Sequence, residues 1–123
     1  MKHLGKDVVV TVQTDKEEYT VNEPVLISLK VLNCSADPIR LRFNSAQRYD
    51  FVVYRDGKEV WRWSSGRAFA MALGSLLLKP KEEKEYAEVF NTSGMAAGNY
   101  KLVGIIMSSP QLKANCMFRI KDS

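Results

Sequence analysis

The sequence predicts an all-β sandwich of about eight to ten short strands. Three observations carry this prediction. Apolar residues recur at every second position, as in Val25, Ile27, Leu29 and Val31. Turn-forming residues interrupt the chain about every 8–12 residues. No stretch shows the i, i+3, i+4 apolar spacing of an amphipathic helix of normal length. At 123 residues the chain suits one domain, with residues 1–6 expected as a flexible tail and 7–123 as the folded unit.

In chain order, DVVVTVQT over 7–14 alternates and stops at Asp15-Lys16, giving a first strand. Glu18–Thr20 continues it briefly before the Asn22-Glu23-Pro24 turn. PVLISLKVLN then places Val25, Ile27, Leu29 and Val31 on one face of a half-buried strand. NCSADP is a turn cluster. Ile39, Leu41 and Phe43 alternate with Arg40 and Arg42, a short strand with one wet face. After a loop over 44–48 comes a hairpin, and after it SSGRAFAMALGS, whose spacing is compatible with a short helical turn, an extended segment or neither. Leu76–Lys79 is a short strand stopped by Pro80. KEEKE reads as a solvated turn leading into a strand with Tyr86, Glu88 and Phe90 on one face. TSGMAAGN is a loop, and Gly98-Asn99-Tyr100 opens the next strand as a tyrosine corner does. Ala114, Cys116, Phe118 and Ile120 alternate through the last strand.

The hairpin, QRYDFVVYRDGKEVWRWS over 47–64, is the most informative stretch, because Asp-Gly between two β-rich runs is a strong turn signal. A two-residue loop at Asp56-Gly57 would set Phe51 opposite Arg62 and Asp50 opposite Trp63. A three-residue loop with Gly57 left-handed instead opposes Phe51 to Trp61, Tyr49 to Trp63, Val52 to Val60 and Asp50 to Arg62. Aromatic and opposite-charge cross-strand pairs contribute roughly 0.2–1 kcal/mol each, which favours the second register. It gathers Tyr49, Phe51, Val53, Trp61 and Trp63 on one face that an opposing sheet must cover.

Composition excludes several function classes. The net charge of +4 is modest, and basic residues are interspersed with acidic ones without a Lys/Arg run, so nucleic acid is not an expected partner. No segment approaches the ~20 apolar residues of a membrane span, and no secretory signal is visible, so a cytoplasmic protein is expected. Cys34 and Cys116 lack metal-ligand spacing and read as free thiols in a reducing compartment. The sole histidine is His3, which removes His-based triads and the usual metal ligand. No Gly-rich phosphate loop is present. Neither an enzyme nor a cofactor is expected. The two tryptophans could stack on a sugar or base if exposed, but their shared face with Phe51 and Val53 favours core packing.

If each consecutive strand reverses direction, the short connections 34–37, 56–57, 80–82 and 109–111 fall at one end. The long ones, 15–23, 44–48, 64–74 and 92–98, fall at the other. Binding residues concentrate on loops held by a rigid scaffold, so the long-loop end is the candidate partner surface.

The run from Phe43 to Ser64 resembles the intracellular proteinase inhibitor (BsuPI) domain family. The likeness rests on Phe43, Ser45, Gln47, Tyr49-Asp50-Phe51, Gly57, Val60-Trp61-Arg62-Trp63-Ser64 and the following Phe69. Pro80 before an acidic strand start and Gly98-Asn99-Tyr100 extend it. Lys81 stands where the family carries Gly, and Phe90 where it tends to carry Trp. The resemblance implies an immunoglobulin-like antiparallel β-sandwich and an intracellular inhibitor whose partner is a serine proteinase of the subtilisin-like class. It transfers no inhibitory residue by position.

An inhibitor that imitates a substrate needs an exposed, preordered loop, so that binding costs little ordering entropy. Two loops offer the large apolar side chains that subtilisin-like clefts favour. One is 64–74, with Arg67, Phe69, Met71 and Leu73; the other is 94–98, with Met95 before Ala96-Ala97. These five are the candidate contact residues, with 64–74 as the main contact and 44–48 and 92–98 flanking it. The alternatives are that 64–74 covers the core and that Met95 is a loop residue packed on the sandwich edge. The rival expectation is a non-inhibitory immunoglobulin-like module that binds protein or glycan.

Overall fold

The computed structural model describes the backbone of residues 2–4 and residues 7–122 in full. Among them are eleven strands and no helix: β1 (Lys2–Leu4), β2 (Val8–Thr14), β3 (Glu18–Thr20), β4 (Pro24–Asn33), β5 (Ile39–Phe43), β6 (Tyr49–Arg55), β7 (Lys58–Arg62), β8 (Gly74–Leu78), β9 (Glu83–Asn91), β10 (Gly98–Ile106) and β11 (Leu112–Lys121). The additional strand is β1, in the segment expected as a tail; it pairs antiparallel with Val8–Val10. Met1, Gly5, Lys6 and the side chain of His3 lie outside the described residues.

Two sheets of order β1-β2-β4-β9 and β3-β11-β10-β6-β7 form the sandwich, and β5-β8 is a separate two-stranded ribbon. All pairs are antiparallel except β3 with β11. The alternation seen in sequence is realised: Val25, Ile27, Leu29 and Val31 of β4 are buried against Phe51 and Val53 of β6, Leu102 and Ile106 of β10 and Phe118 and Ile120 of β11. Fully burying an aliphatic or aromatic side chain contributes ~1.5–3 kcal/mol, and this shared interior is what holds the two sheets together. Gly104 lets the sheets close up, since a Cβ there would stand 2.7 Å from Leu29 Cδ1 and 2.9 Å from Val12 Cγ2. Tyr100 is the expected corner: buried, its hydroxyl donates to the Ala96 carbonyl at 2.5 Å.

The hairpin takes the rejected turn and still buries the expected face. Asp56 (φ 51°) and Gly57 (φ 78°) are both left-handed, and Arg55 faces Lys58 across a two-residue loop. That is the type I′ turn to which Asp-Gly is suited. The register then shifts at a bulge: Tyr54 faces Glu59, but Val53 faces Trp61 and Val52 faces Arg62. Val60 is the extra residue, 42% exposed instead of facing Val52. Phe51 therefore lies across from Trp63, whose amide donates to the Phe51 carbonyl at 2.9 Å. One bulged residue restores the parity, so Trp61 and Trp63 join Phe51 and Val53 on the core side.

The expected sorting of loops to the two ends is overturned by β5. It does not run the length of the sandwich. Ile39 starts it beside the end of β4, where the buried Asn33 amide donates to the Asp37 carbonyl (2.8 Å) and the Leu78 carbonyl (3.0 Å). Phe43 ends it in a bridge to Ser108, just past the end of β10. The ribbon thus crosses from one sheet to the other at a single end, so β5 and β6 both begin at that end. Loop 44–48 consequently lies beside 107–109, with Met107 N donating to the Arg48 carbonyl at 2.9 Å. The Asp56-Gly57 turn lies by Asn99 at the opposite end, as does loop 92–97. The end built by the ribbon gathers 34–38, 44–48, 63–73, 79–82 and 107–111.

Candidate functional site

The feature that stands out at the ribbon end is the segment between β7 and β8. Its entrance is fixed by Asp50, a carboxylate only 1% exposed. Asp50 accepts hydrogen bonds from the Phe51 amide (2.9 Å), the Ser64 amide (3.1 Å), the Ser64 hydroxyl (2.5 Å) and Arg62 Nη1 (3.2 Å). Asp50 is not directly across from Arg62, as sequence suggested; Arg62 reaches it diagonally. Arg62 also donates to Glu59 from Nη2 at 2.8 Å, which holds the Glu59 carboxyl below the usual range.

Beyond Ser64 the chain makes one turn, with Arg67 N donating to the Ser64 carbonyl at 3.0 Å and Gly66 left-handed. From Arg67 to Leu73 it forms neither helix nor turn, so the helical alternative is excluded. This stretch is braced midway, where the Ala46 amide donates to the Ala70 carbonyl at 2.8 Å. At its exit, the Arg48 guanidinium passes beneath Gly74, where a Cβ would stand 2.5 Å from Nη2. Arg48 is itself held by the Ser45 carbonyl (2.9 Å) and by the Phe43 ring (4.4 Å).

Below the segment runs a ladder of rings. Arg67 lies 4.3 Å from the centroid of Trp63, Trp63 stacks on Tyr49 at 4.7 Å, and Tyr49 stacks on Tyr86 at 4.6 Å. Arg67 Nε also donates to the Trp63 carbonyl at 2.9 Å. The Tyr49 hydroxyl donates to Glu88, and burial together with that carboxylate pushes its pKa up to about 12. Phe69 is half-buried, its ring 5.9 Å from Trp63. Trp61 packs on Phe90 at 4.8 Å. Both tryptophans are half-buried within these stacks, and neither forms an open platform for a sugar.

Against this braced base, Met71 is 87% exposed and Leu73 85%. They are the most exposed large apolar side chains among the described residues, and nothing within the domain covers them. The chemistry on offer is therefore presentation of apolar side chains on a tethered segment. Among the described residues no cluster of three His, Cys, Asp or Glu is placed to hold a metal. Cys34 and Cys116 are free thiols. Among the described residues no helix is long and apolar enough to cross a membrane.

The sequence profile of the BsuPI family, described as intracellular proteinase inhibitor, matches residues 12–111. The chain belongs to this family. The BsuPI match spans the Asp50 anchor, the whole 63–73 segment and the ribbon. No curated protein sequence matches the chain significantly. Among solved structures it is similar to a CARDB domain from Pyrococcus furiosus, at 18% identity and TM-score 0.52, over 94% of this chain and 88% of that one. It is also similar to the sporulation control protein Spo0M of Bacillus subtilis, at 15% identity and TM-score 0.54, over 95% of this chain and 49% of Spo0M. A third likeness is to a β-glucosidase of Erythrobacter marinus, at 9% identity and TM-score 0.55, over 93% of this chain and 15% of the enzyme. At these identities the likeness shows the fold alone, an immunoglobulin-like antiparallel sandwich.

Of the five candidate contact residues, the fold brings four together. Arg67 and Phe69 are footings on Trp63, while Met71 and Leu73 point away from the domain. Met95 packs against the core near Tyr100, in loop 92–97 at the opposite end. Loop 44–48 does flank the segment, and 92–98 does not. Sequence reasoning missed the bracing by Ala46 and Arg48, because a backbone amide and an arginine in a polar loop carry no pattern of their own. The Asp50–Arg62 pairing was visible as a cross-strand ion pair, but its service to Ser64 was not.

Proposed function

We propose that this BsuPI protein inhibits subtilisin-like serine proteinases in the cytoplasm, by offering residues 67–73 to the proteinase cleft. The observation that carries the reading is Met71 and Leu73, 87% and 85% exposed, on a segment tied at Ser64, Ala70 and Gly74. Two exposed apolar side chains without an internal role suit a cleft that accepts large apolar residues. Burying them on a partner contributes ~3–6 kcal/mol at ~1.5–3 kcal/mol each. The tethers reduce the ordering entropy that binding would otherwise cost. Preordering of this kind distinguishes an inhibitor from a floppy loop that is cut and released. Arg67 and Phe69 act from below, fixing the segment on Trp63.

The direct test is titration of an intracellular subtilisin-like serine proteinase with the purified protein. The expected result is stoichiometric loss of proteolytic activity with recovery of intact chain. Ordinary cleavage of the chain, or activity unchanged at molar excess, would refute the reading.

A further inference from the structure

The exposed apolar segment continues into a face of unusual charge. Segments 38–49 and 63–81 build most of this end of the molecule, and neither contains an Asp or Glu. They contribute Arg40, Arg42, Arg48 and Arg67. Among the described residues none of these four forms a salt bridge, whereas Arg55, Arg62 and Arg119 all do. On the β5–β8 ribbon Arg40 faces Leu77 and Arg42 faces Ser75, and Arg40 Nη1 donates to Ser75 Oγ at 2.9 Å. Side chains alternate along a strand, so Leu77, Ser75 and the preceding Leu73 share the outer face with both arginines. Leu77 is 45% exposed, while Leu41, Phe43 and Leu78 turn inward to the core.

We infer that this outer face of the ribbon is a second contact zone, and that the proteinase it meets carries an acidic rim beside its apolar cleft. The inference rests on the loop reading above and adds the partner's charge. Guanidinium groups without an internal counter-ion leave a positive field around the apolar segment. Such a field accelerates encounter with a negative surface and weakens with salt. Rim charges act mainly on the association rate, and buried apolar contacts mainly on dissociation. The two zones therefore have separable kinetic signatures.

The test is stopped-flow association with an intracellular subtilisin-like serine proteinase over a range of salt, using folded variants checked by near-ultraviolet circular dichroism. For the parent chain the association rate constant is expected to fall about tenfold or more from low to high salt. Arg40→Glu/Arg42→Glu should lower the low-salt rate at least about tenfold and flatten the salt dependence, with dissociation changed less than about threefold. Arg40→Gln/Arg42→Gln should fall between. Met71→Ala/Leu73→Ala should raise dissociation and leave the salt slope intact. A salt-independent rate in the parent chain, or a slope that survives charge reversal, overturns the acidic-rim inference alone. Unchanged dissociation in the apolar variant overturns the loop reading alone, and absence of any complex overturns both.

Discussion

The Ala46 amide and the Ala70 carbonyl are joined at 2.8 Å, a backbone bond between two loops that are 24 residues apart in sequence. It turns a long connection into a braced one. Met71 and Leu73 follow directly, so their exposure is that of side chains on a held strand of backbone. The same bond depends on β5 crossing the end of the sandwich, which brings loop 44–48 beneath the segment.

The entrance to the segment depends on Asp50. Replacing it with Ala leaves Arg62 without its buried partner and the Ser64 amide and hydroxyl without their acceptor. Losing hydrogen bonds to a buried charge costs ~2–4 kcal/mol. Urea unfolding of Asp50→Ala is expected to show that loss, with Asp50→Asn destabilised by less. Both variants should inhibit less well than their residual stability alone would suggest. An Asp50→Ala midpoint equal to that of the parent would mean the carboxylate does not organise this corner.

Lys81 occupies a strained position. The Glu82 amide donates to the Lys79 carbonyl at 2.9 Å, with Pro80 second and Lys81 third in the turn. Lys81 has φ 65°, as the third residue of a type II turn must, and glycine fits there best. This accounts for the glycine that the family resemblance implies at this place. A left-handed non-glycine residue costs ~1–2 kcal/mol, partly offset by glycine's greater entropy when unfolded. Lys81→Gly should therefore stabilise the protein by about 0.5–1 kcal/mol, raising the urea midpoint without changing the slope.

Stability should fall in acid, with a sign set by three carboxylates. The Tyr19 hydroxyl donates to Asp15 at 2.6 Å, Lys16 bonds Glu23, and Arg62 bonds Glu59. Each partner holds its carboxyl below the ordinary value. Groups with a folded pKa below the unfolded one stabilise the fold above the unfolded value and lose that contribution as pH falls through the folded one. The urea midpoint should be level from neutral pH to about 5 and decline below about 4. Tyr19→Phe should lower the neutral-pH midpoint and shrink the difference between neutral and acid. An undiminished difference would show that Tyr19 does not set the Asp15 titration.

How much of this was legible follows from what a strand pattern encodes. Alternation records which face a side chain occupies, so Tyr49, Phe51, Val53, Trp61 and Trp63 were grouped correctly. It is blind to an even offset in register, so the bulge at Val60 could not be read from it. Pairing arguments even chose the wrong turn, because the two positive φ angles at Asp56 and Gly57 decided the loop before cross-strand pairs could. The ends of the loops were misassigned for a similar reason. Ile39–Phe43 alternates like any strand, and nothing in IRLRF states that it crosses the sandwich end. Met71 and Leu73 were legible as candidates but their exposure was not, because a run of that spacing suits a core-covering segment as well as an exposed loop. The fold leaves them 87% and 85% exposed. That Phe69 would turn inward, and that Met95 would sit at the far end, were matters of tertiary packing.

The central claim is that Met71 and Leu73 make the inhibitory contact, and one measurement reads it directly. Both side chains lie outside the domain's own packing, so Met71→Ala/Leu73→Ala should leave the thermal midpoint unchanged. Losing ~3–6 kcal/mol of apolar contact corresponds to a weakening of roughly 10²–10⁴-fold. The inhibition constant of this variant against an intracellular subtilisin-like serine proteinase should therefore rise at least about a hundredfold. A folded variant that inhibits as strongly as the parent chain would contradict the account.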